Sequence, residues 1–194
     1  MTSGEDFFQG DDEDRAIAAQ VVSGQKELFR LLIKKYERPV FGMGMSFFHN
    51  SEDASDFTQD VLLLTFRNLS RFEGRSRFST WLYKIAYNTA INSVTRKKDY
   101  HSLVKEEIVP DNETPERNLL KKLAQEAILE AITGLPERFR VCIDLFFFYD
   151  RSYQEIEAIT GYPINTIKSH VFRAKKILRE KLTGYEGYVE GGII

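Results

Sequence analysis

The sequence predicts an all-α protein: two small helical domains joined by a flexible linker, the second containing a helix-turn-helix. Apolar residues recur at spacings of three and four along most of the chain, which is typical of helices with one buried face. Residues 99–118 lack such a period and contain two prolines among scattered charges, as linkers do. Near the carboxyl end, a capped helix, a glycine and another helix follow one another.

The predicted domain boundaries follow the points where the helical pattern starts and stops. Residues 1–13 are acidic and predict a flexible tail. The first helical domain is expected at 14–98, the linker at 99–118 and the second domain at 119–183. Residues 184–194 contain Gly and Tyr and predict another flexible tail, whose role the sequence leaves open.

Composition and charge restrict the compartment and the class of the protein. The net charge of -2 hides an asymmetry, because acidic residues dominate the amino terminus and basic residues cluster later. Cys142 is the single cysteine, which excludes an internal disulfide and predicts a buried, inert thiol in a reducing compartment. No apolar run reaches membrane-spanning length, and the amino terminus is acidic where a signal peptide is basic, so we expect a cytoplasmic protein.

In the first domain, turn and capping residues divide the pattern into helices. One helix starts at Asp14 and leads to Gly24, and the next is expected to stop at Pro39. A separate, nearly all-apolar helix is predicted from Val40 to Phe48. Ser51 is then expected to cap a long helix.

The first turns of that long helix expose acidic and amide side chains. The candidates for a protein-docking face are Asp53, Asp56, Gln59 and Asp60. Carboxylates near a helix start also complement the helix dipole without any partner. The pattern alone therefore leaves a local role and a docking role equally open.

The strongest signal is the stretch from Asn68 to Lys98, which combines a loop around Gly74 with a helix that Ser79 is expected to cap. The candidate nucleic-acid contacts are Arg71, Phe72, Arg75, Arg77, Phe78, Trp81, Lys84, Tyr87, Asn88, Asn92 and Arg96. A solvated basic face with aromatic residues in the core is the simpler interpretation of such a helix. Between residues 67 and 105, however, Glu73 and Asp99 alone oppose a dense series of Lys and Arg, which favours nucleic acid.

In the second domain, Ser152 and Glu155 have the spacing of a capping box, and Gly161 is expected to end that short helix. The following helix supplies candidate contacts to duplex DNA, which are Asn165, Thr166, Lys168, Ser169, His170, Arg173 and Lys176. Structural bundles also contain this pattern. The basic surplus favours DNA, because Glu180 is the only acidic residue between 164 and 183.

Taken together, these segments resemble the bacterial RNA polymerase sigma factors of the extracytoplasmic-function (ECF) type. The segments that resemble the second region of this family are Asp53–Asp60, Phe72–Gly74 and Phe78–Ala86 with Asn88. Those that resemble its fourth region are Leu135–Arg140, Ser152–Ile156, and Thr166–Ser169 with Phe172–Ala174. The order and separation of these segments make the resemblance specific.

The resemblance implies a promoter-specificity subunit that binds core RNA polymerase and starts transcription. In such proteins the first domain melts the minus-ten promoter element and holds a flipped base, and the second reads the minus-thirty-five element as duplex. The face with Asp56 and Asp60 would dock on the clamp coiled coil of the largest polymerase subunit. An anti-sigma factor is a further implied partner, and no cofactor or metal is implied.

This sequence departs from the family pattern at several candidate positions. Asn92 stands where many members carry Asp and Tyr87 where many carry Arg, which leaves the minus-ten base preference open. Pro163 replaces a frequent capping Ser or Thr. His170 replaces a common Arg and removes a permanent charge.

Two other classes of protein are alternatives to a sigma factor. A stand-alone helix-turn-helix regulator would bind an operator without core polymerase, but it would need no loop for single-stranded DNA. An enzyme is disfavoured because His49, His101 and His170 lie in separate segments without metal-ligand spacing. The sequence also lacks a phosphate-binding glycine loop and a serine elbow, so we expect no catalytic activity.

Overall fold

The computed structural model describes the backbone of residues 4–97, 127–128 and 130–183. Within these ranges the chain forms helices and turns and contains no strand. It divides into two compact units, Met1–Glu106 and Glu107–Ile194. The prediction of an all-α protein with two domains is confirmed.

The predicted linker at 99–118 and the predicted tail at 184–194 lie outside the described residues. Side chains are described for residues 11–94, 127–128 and 130–183. The exact domain boundaries therefore stay predictions.

The first unit opens with helix α1, Gly4–Val22. The prediction of a flexible tail over residues 1–13 is therefore wrong from Gly4 onward. The buried carboxylate of Asp14 accepts hydrogen bonds from Lys35 Nζ, at 2.7 Å, and from the Tyr36 hydroxyl. The residues before Asp14 are mostly polar and show no sustained apolar period, so the pattern could not reveal that the helix begins at Gly4.

Helix α2, Phe29–Phe48, passes through Pro39 without ending. The predicted stop at Pro39 and the separate helix from Val40 to Phe48 are therefore wrong. A proline inside a helix removes a backbone hydrogen bond and costs about 3 kcal/mol. The buried residues of α2 nevertheless continue on both sides of the proline, and they are Phe29, Leu32, Tyr36, Val40, Met43, Gly44 and Phe47. Burial of this apolar face outweighs the local cost.

Helix α3, Ser51–Asn68, is capped by Asn50. The prediction that Ser51 caps this helix is therefore wrong, because Ser51 is its first helical residue. The Asn50 side-chain oxygen accepts from the Asp53 N–H at 2.7 Å, and Asn50 Nδ2 donates to Asp53 Oδ2 at 2.8 Å. Both side chains are thereby fixed at the start of the helix.

A 3₁₀ turn, Leu69–Arg71, and a loop at 72–77 connect α3 to helix α4, Phe78–Lys97. The core of the first unit lies where α2, α3 and α4 meet. Helices α2 and α3 cross closely at Gly44, where a Cβ atom would lie 2.8 Å from Phe57 Cδ1. A side chain at this position would force the two helices apart.

The second unit contains helical residues at 127–128 and 130–133 and then three helices. These are α5, Glu137–Ile143, extended by a π-helical turn at Asp144–Phe148, then α6, Tyr153–Thr160, and α7, Ile164–Lys181. Its core is made of fully buried side chains that include Cys142, Ile143, Ile156, Ile159, Ile167 and Leu178. Helices α6 and α7 form the predicted helix-turn-helix.

Candidate nucleic-acid interfaces

Three aromatic rings surround the loop at 72–77. Phe72 lies edge-on to Phe78 with ring centroids 5.3 Å apart, and Trp81 lies 5.3 Å from Phe72 and 5.8 Å from Phe78. Phe78 is fully buried, whereas Phe72 and Trp81 are half-buried. The two partly exposed rings offer apolar surface beside the loop on which a base can stack.

The loop is also positively charged. Arg71 and Arg75 are exposed, and Arg77 is half-buried. Arg75 Nε lies 2.6 Å from Glu73 Oε2, but the two side chains are 85% and 60% exposed. Such a surface pair contributes little to stability, so Arg75 can exchange its carboxylate partner for a phosphate. Gly74 has a φ of 69°, a left-handed conformation that glycine adopts without strain.

Helix α4 carries the predicted polar face. Lys84, Asn88 and Asn92 are exposed and follow one another at a spacing of four, so they lie on one side of the helix. A cation and two amides in a row can contact a phosphate and the edges of bases. The helix starts at Phe78, one residue before Ser79, so the prediction that Ser79 caps it is wrong.

Two predicted DNA contacts of the first unit are buried instead. Phe78 packs against Tyr36 at 5.5 Å, and Tyr87, which is 7% exposed, packs against Phe47 at 6.3 Å. The predictions for Phe78 and Tyr87 are therefore wrong, because these rings fill the core of the unit. The Arg96 side chain lies outside the described residues.

Only part of the predicted docking face on α3 is exposed. Asp56, Gln59 and Asp60 are exposed, whereas Asp53 is half-buried and bonded to Asn50. Leu63, which is 53% exposed, continues the line one turn beyond Gln59. Sequence reasoning missed Leu63, because only the exposure shows that it does not belong to the buried stripe of α3.

Capping fixes the ends of α6. The Glu155 N–H donates to Ser152 Oγ at 3.3 Å, and the Ser152 N–H donates to Glu155 Oε2 at 3.0 Å. The predicted capping box is confirmed. Gly161 ends the helix with a φ of 76°, also as predicted.

The start of α7 is capped from a neighbouring helix. Pro163 occupies the cap position and offers no capping side chain. The Ile164 N–H instead donates to Glu157 Oε1 on α6, at 3.1 Å. The negative charge of Glu157 is favourable at the amino terminus of α7. Because Glu157 belongs to α6, the hydrogen bond also connects the two helices.

The exposed face of α7 contains most of the predicted duplex contacts. Exposed side chains on this face are Asn165, Lys168, Ser169, Arg173 and Lys176, and Thr166 is half-buried. Phe172, which is 70% exposed, lies among them and was missed, because its apolar side chain suggested no polar contact. The face combines cations with short polar groups at the amino-terminal end, as major-groove helices do.

His170 is an exception on α7, because it is 9% exposed and belongs to the core. Its ring lies 5.2 Å from Phe139 and 5.5 Å from Tyr162, and its Nδ1 atom is 3.7 Å from Cys142 Sγ. The prediction that His170 contacts DNA is therefore wrong. The helical step of 100° turns this position away from Ser169 and toward α5.

Burial shifts two pKa values in this core. It lowers the pKa of His170, and the nearby charges of Arg138 and Arg173 lower it further. Burial also raises the pKa of the Cys142 thiol to about 12. At neutral pH the thiol is therefore protonated and is not a nucleophile.

Among the residues that the structure describes, no group of three or more His, Cys, Asp or Glu side chains could hold a metal ion. No helix in the described part of the chain is long and apolar enough to cross a membrane.

Comparison with protein families gives two matches along the chain. Residues 32–100 match the family described as Sigma-70 region 2. Residues 125–178 match the family described as Sigma-70, region 4. The first match contains α4 and the aromatic loop, and the second contains the helix-turn-helix.

Curated relatives and solved structures agree with these matches. The RNA polymerase sigma-H factor of Pseudomonas aeruginosa is 30% identical over 88% of this chain and 94% of its own length. The ECF RNA polymerase sigma-E factor of Escherichia coli K12 is 30% identical over 87% of this chain and 94% of its own length. The sigma factor RpoE, solved with the anti-sigma factor NepR from Bartonella quintana, has a TM-score of 0.65 and 25% identity, covering 80% of this chain and 96% of that chain. CnrH, solved with the cytosolic domain of CnrY, shares the fold with a TM-score of 0.67 and 20% identity, covering 88% of this chain and 97% of that chain.

Proposed function

Since this chain belongs to the sigma-70 family of RNA polymerase sigma factors, with relatives of the ECF type, we propose that it directs core polymerase to promoters by contacting two DNA elements. The first unit contacts the minus-ten element, melted and single-stranded. The second unit contacts the minus-thirty-five element as duplex. The protein is a transcription initiation factor, and phosphodiester bond formation belongs to the polymerase.

The observation that carries this proposal is the surface beside the loop at 72–77. Partly exposed rings of Phe72 and Trp81 lie on the same unit as the exposed face with Lys84 and Asn88. Extruding a base costs a few kcal/mol, which stacking and hydrogen bonds to the base can offset. A protein that reads only duplex DNA needs no such aromatic surface.

The second unit supports the duplex part of the proposal. Helix α7 exposes Lys168, Arg173 and Lys176 together with short polar side chains near its amino terminus. Cations position a helix on phosphates, and the amino-terminal polar groups reach base edges in the major groove.

Core polymerase is proposed to bind the face of α3 with Asp56, Gln59 and Asp60. These side chains are exposed and are therefore accessible to a partner protein. Leu63 adds an apolar centre to this polar face, which is how protein interfaces are commonly built. The clamp coiled coil of the largest subunit is the partner implied by the family.

An anti-sigma factor is also proposed as a partner. The relative RpoE was solved with the anti-sigma factor NepR, and this chain covers 96% of that RpoE chain. Since this chain covers nearly all of that relative, the same class of regulator is expected to bind here.

Runoff transcription on a randomised promoter library tests the proposal. Core polymerase with this protein should select templates that share two separated elements, whereas core alone should select none. A stand-alone regulator would instead shift duplex DNA in the absence of core and would give no core-dependent runoff product. That outcome would contradict the proposed function.

A further inference from the structure

Helix α1 contacts the loop at 72–77 through polar bonds that the proposed DNA contacts do not use. Asp11 Oδ1 accepts a hydrogen bond from the Phe78 N–H at 3.1 Å, which is the first N–H of α4. Arg15 Nη2 donates to the Ser76 carbonyl oxygen at 3.3 Å and lies 3.4 Å from Asp11 Oδ2. Two side chains of α1 therefore hold the end of the loop and the start of α4.

The start of α4 needs such a bond. The Trp81 N–H donates to the Arg77 carbonyl at 3.1 Å, so Arg77 is the residue immediately before the helix. An arginine side chain has no acceptor and cannot cap a helix. Asp11, which is 67 residues away in the chain, supplies an acceptor for the Phe78 N–H, and its charge is favourable at a helix amino terminus.

Helix α1 is anchored to α2, so the hydrogen bond between Asp11 and Phe78 can restrict the motion of the loop. Asp14 is 2% exposed and bonded to Lys35 and Tyr36 on α2. Asp11 lies one helical turn away from Asp14. The Tyr36 ring also packs 5.5 Å from Phe78, so α1, α2 and α4 meet at the end of the loop.

We propose that Asp11 and Arg15 are positioning residues for base capture, which hold the loop at 72–77 in the conformation that receives the flipped base. This inference rests on the proposed function. A loop that is already ordered loses less conformational entropy when a base binds, so capture is tighter. Neither residue touches the base itself.

The test uses the full-length Asp11→Ala variant, with Asp11→Asn as the conservative variant and Asp12→Ala as the matched control. Asn keeps an oxygen acceptor for the Phe78 N–H, whereas Asp12 is exposed and its replacement changes the charge equally. Trp81 is the only tryptophan of the chain and lies in the aromatic cluster, so quenching of its fluorescence by acrylamide reports the order of the loop.

Asp11→Ala should increase acrylamide quenching of Trp81 in the free protein. With core polymerase it should reduce open complexes about fivefold, as expected for the loss of one capping bond. It should also weaken the discrimination between bases at the flipped position, whereas affinity for core stays unchanged. Asp11→Asn keeps the acceptor but loses the charge, so it should change these readouts less than Asp11→Ala. Asp12→Ala should behave like the unmodified protein, and Arg15→Ala should change the same readouts in the same direction as Asp11→Ala.

Three outcomes would overturn the inference. Unchanged Trp81 quenching in both Asp11→Ala and Arg15→Ala would show that α1 does not order the loop. Increased promoter opening by Asp11→Ala would show that α1 obstructs DNA instead of positioning the loop. If the quenching rises as expected but the unmodified protein opens no promoter with core, the proposed function has failed, and the role in base capture fails with it.

Discussion

Exposure of single side chains on α4 separates positions that can meet DNA from positions that fill the core. Asn88 is exposed, whereas its neighbour Tyr87 is 7% exposed and packs on Phe47. The sequence pattern predicts both residues as contacts to the minus-ten DNA. Only the exposed residue can exchange water for a base without disturbing the fold.

Asn88→Ala should reduce promoter opening about tenfold, because a side-chain amide that bonds a base edge contributes about 1–3 kcal/mol. The free energy of unfolding should change by less than about 0.5 kcal/mol, since the side chain is exposed. Open complexes are measured by permanganate footprinting, and stability by urea unfolding. Gln20→Ala, at an exposed amide on α1, is the control. Equal effects of the two variants on opening would contradict the role of Asn88.

The buried His170 should make the second unit less stable at acid pH. Its pKa is lowered in the folded chain, so the unfolded chain binds the proton more readily. The contribution of neutral His170 to the free energy of unfolding is therefore fully present above about pH 6.5, the ordinary histidine pKa of the unfolded chain. It is lost as the pH falls from there toward the lower pKa of the folded chain. Urea unfolding followed by circular dichroism at about pH 7.5 and pH 5 measures this loss.

A His170→Leu variant should lose part of this pH dependence, because it removes the group that takes up the proton. His49→Asn is the matched control, since His49 is exposed and its φ of 58° is one that Asn also adopts. An identical pH dependence in the unmodified protein and His170→Leu would show that another group is responsible.

At the scale of the elements, α6 and α7 form a unit through their caps. The capping box of Ser152 and Glu155 starts α6, and Glu157 on α6 caps the first N–H of α7. Because the second cap comes from the neighbouring helix, the loss of a capping Ser or Thr at Pro163 is compensated. The exposed cations of α7 are thereby held on a rigid element.

Arg173→Ala should weaken binding of the holoenzyme to promoters and flatten its salt dependence. Each phosphate contact contributes about 0.9 to the slope of log K against log salt concentration. Filter binding of a promoter fragment over a series of salt concentrations gives the slope. Arg179→Ala removes the same charge near the carboxyl end of α7 and should change the slope less. An Arg173→Ala slope equal to that of the unmodified protein would exclude a phosphate contact.

At the scale of the whole molecule, the chain has two cores that form from different residues. The first includes Leu32 at 1% exposure, and the second includes Leu178 at 0%. The chain divides into two compact units, Met1–Glu106 and Glu107–Ile194, and the proposed function gives each of them one DNA element. Each unit can carry one interface while its own core maintains the fold.

Leu32→Ala and Leu178→Ala should each destabilise one unit by about 2–5 kcal/mol, the usual cost of such a truncation in a core. Trp81 fluorescence reports the first unit alone, and circular dichroism reports both. Leu32→Ala should shift the fluorescence transition to lower urea, whereas Leu178→Ala should shift only the circular dichroism transition. A fluorescence transition that moves equally in both variants would show that the two units unfold together.

Local patterns were sufficient for several parts of the fold and of the candidate site. The capping box at Ser152, the glycine end at Gly161 and the polar series from Lys84 to Asn92 depend on residues within a few positions of one another. The prediction failed at Pro39, where a local penalty is outweighed by burial along all of α2. It failed also for the part of α1 before Asp14, where the residues are mostly polar and show no sustained apolar period.

By itself, the sequence determined that this protein is helical, that it has two domains, and which family it resembles. These properties follow from apolar periods, capping residues and short motifs, which are all local. Only the tertiary structure decided that Phe78, Tyr87 and His170 are buried and that Asp11 bonds to the start of α4. The reason is that burial and long-range hydrogen bonds depend on which helices meet, and residues distant in the chain decide that together.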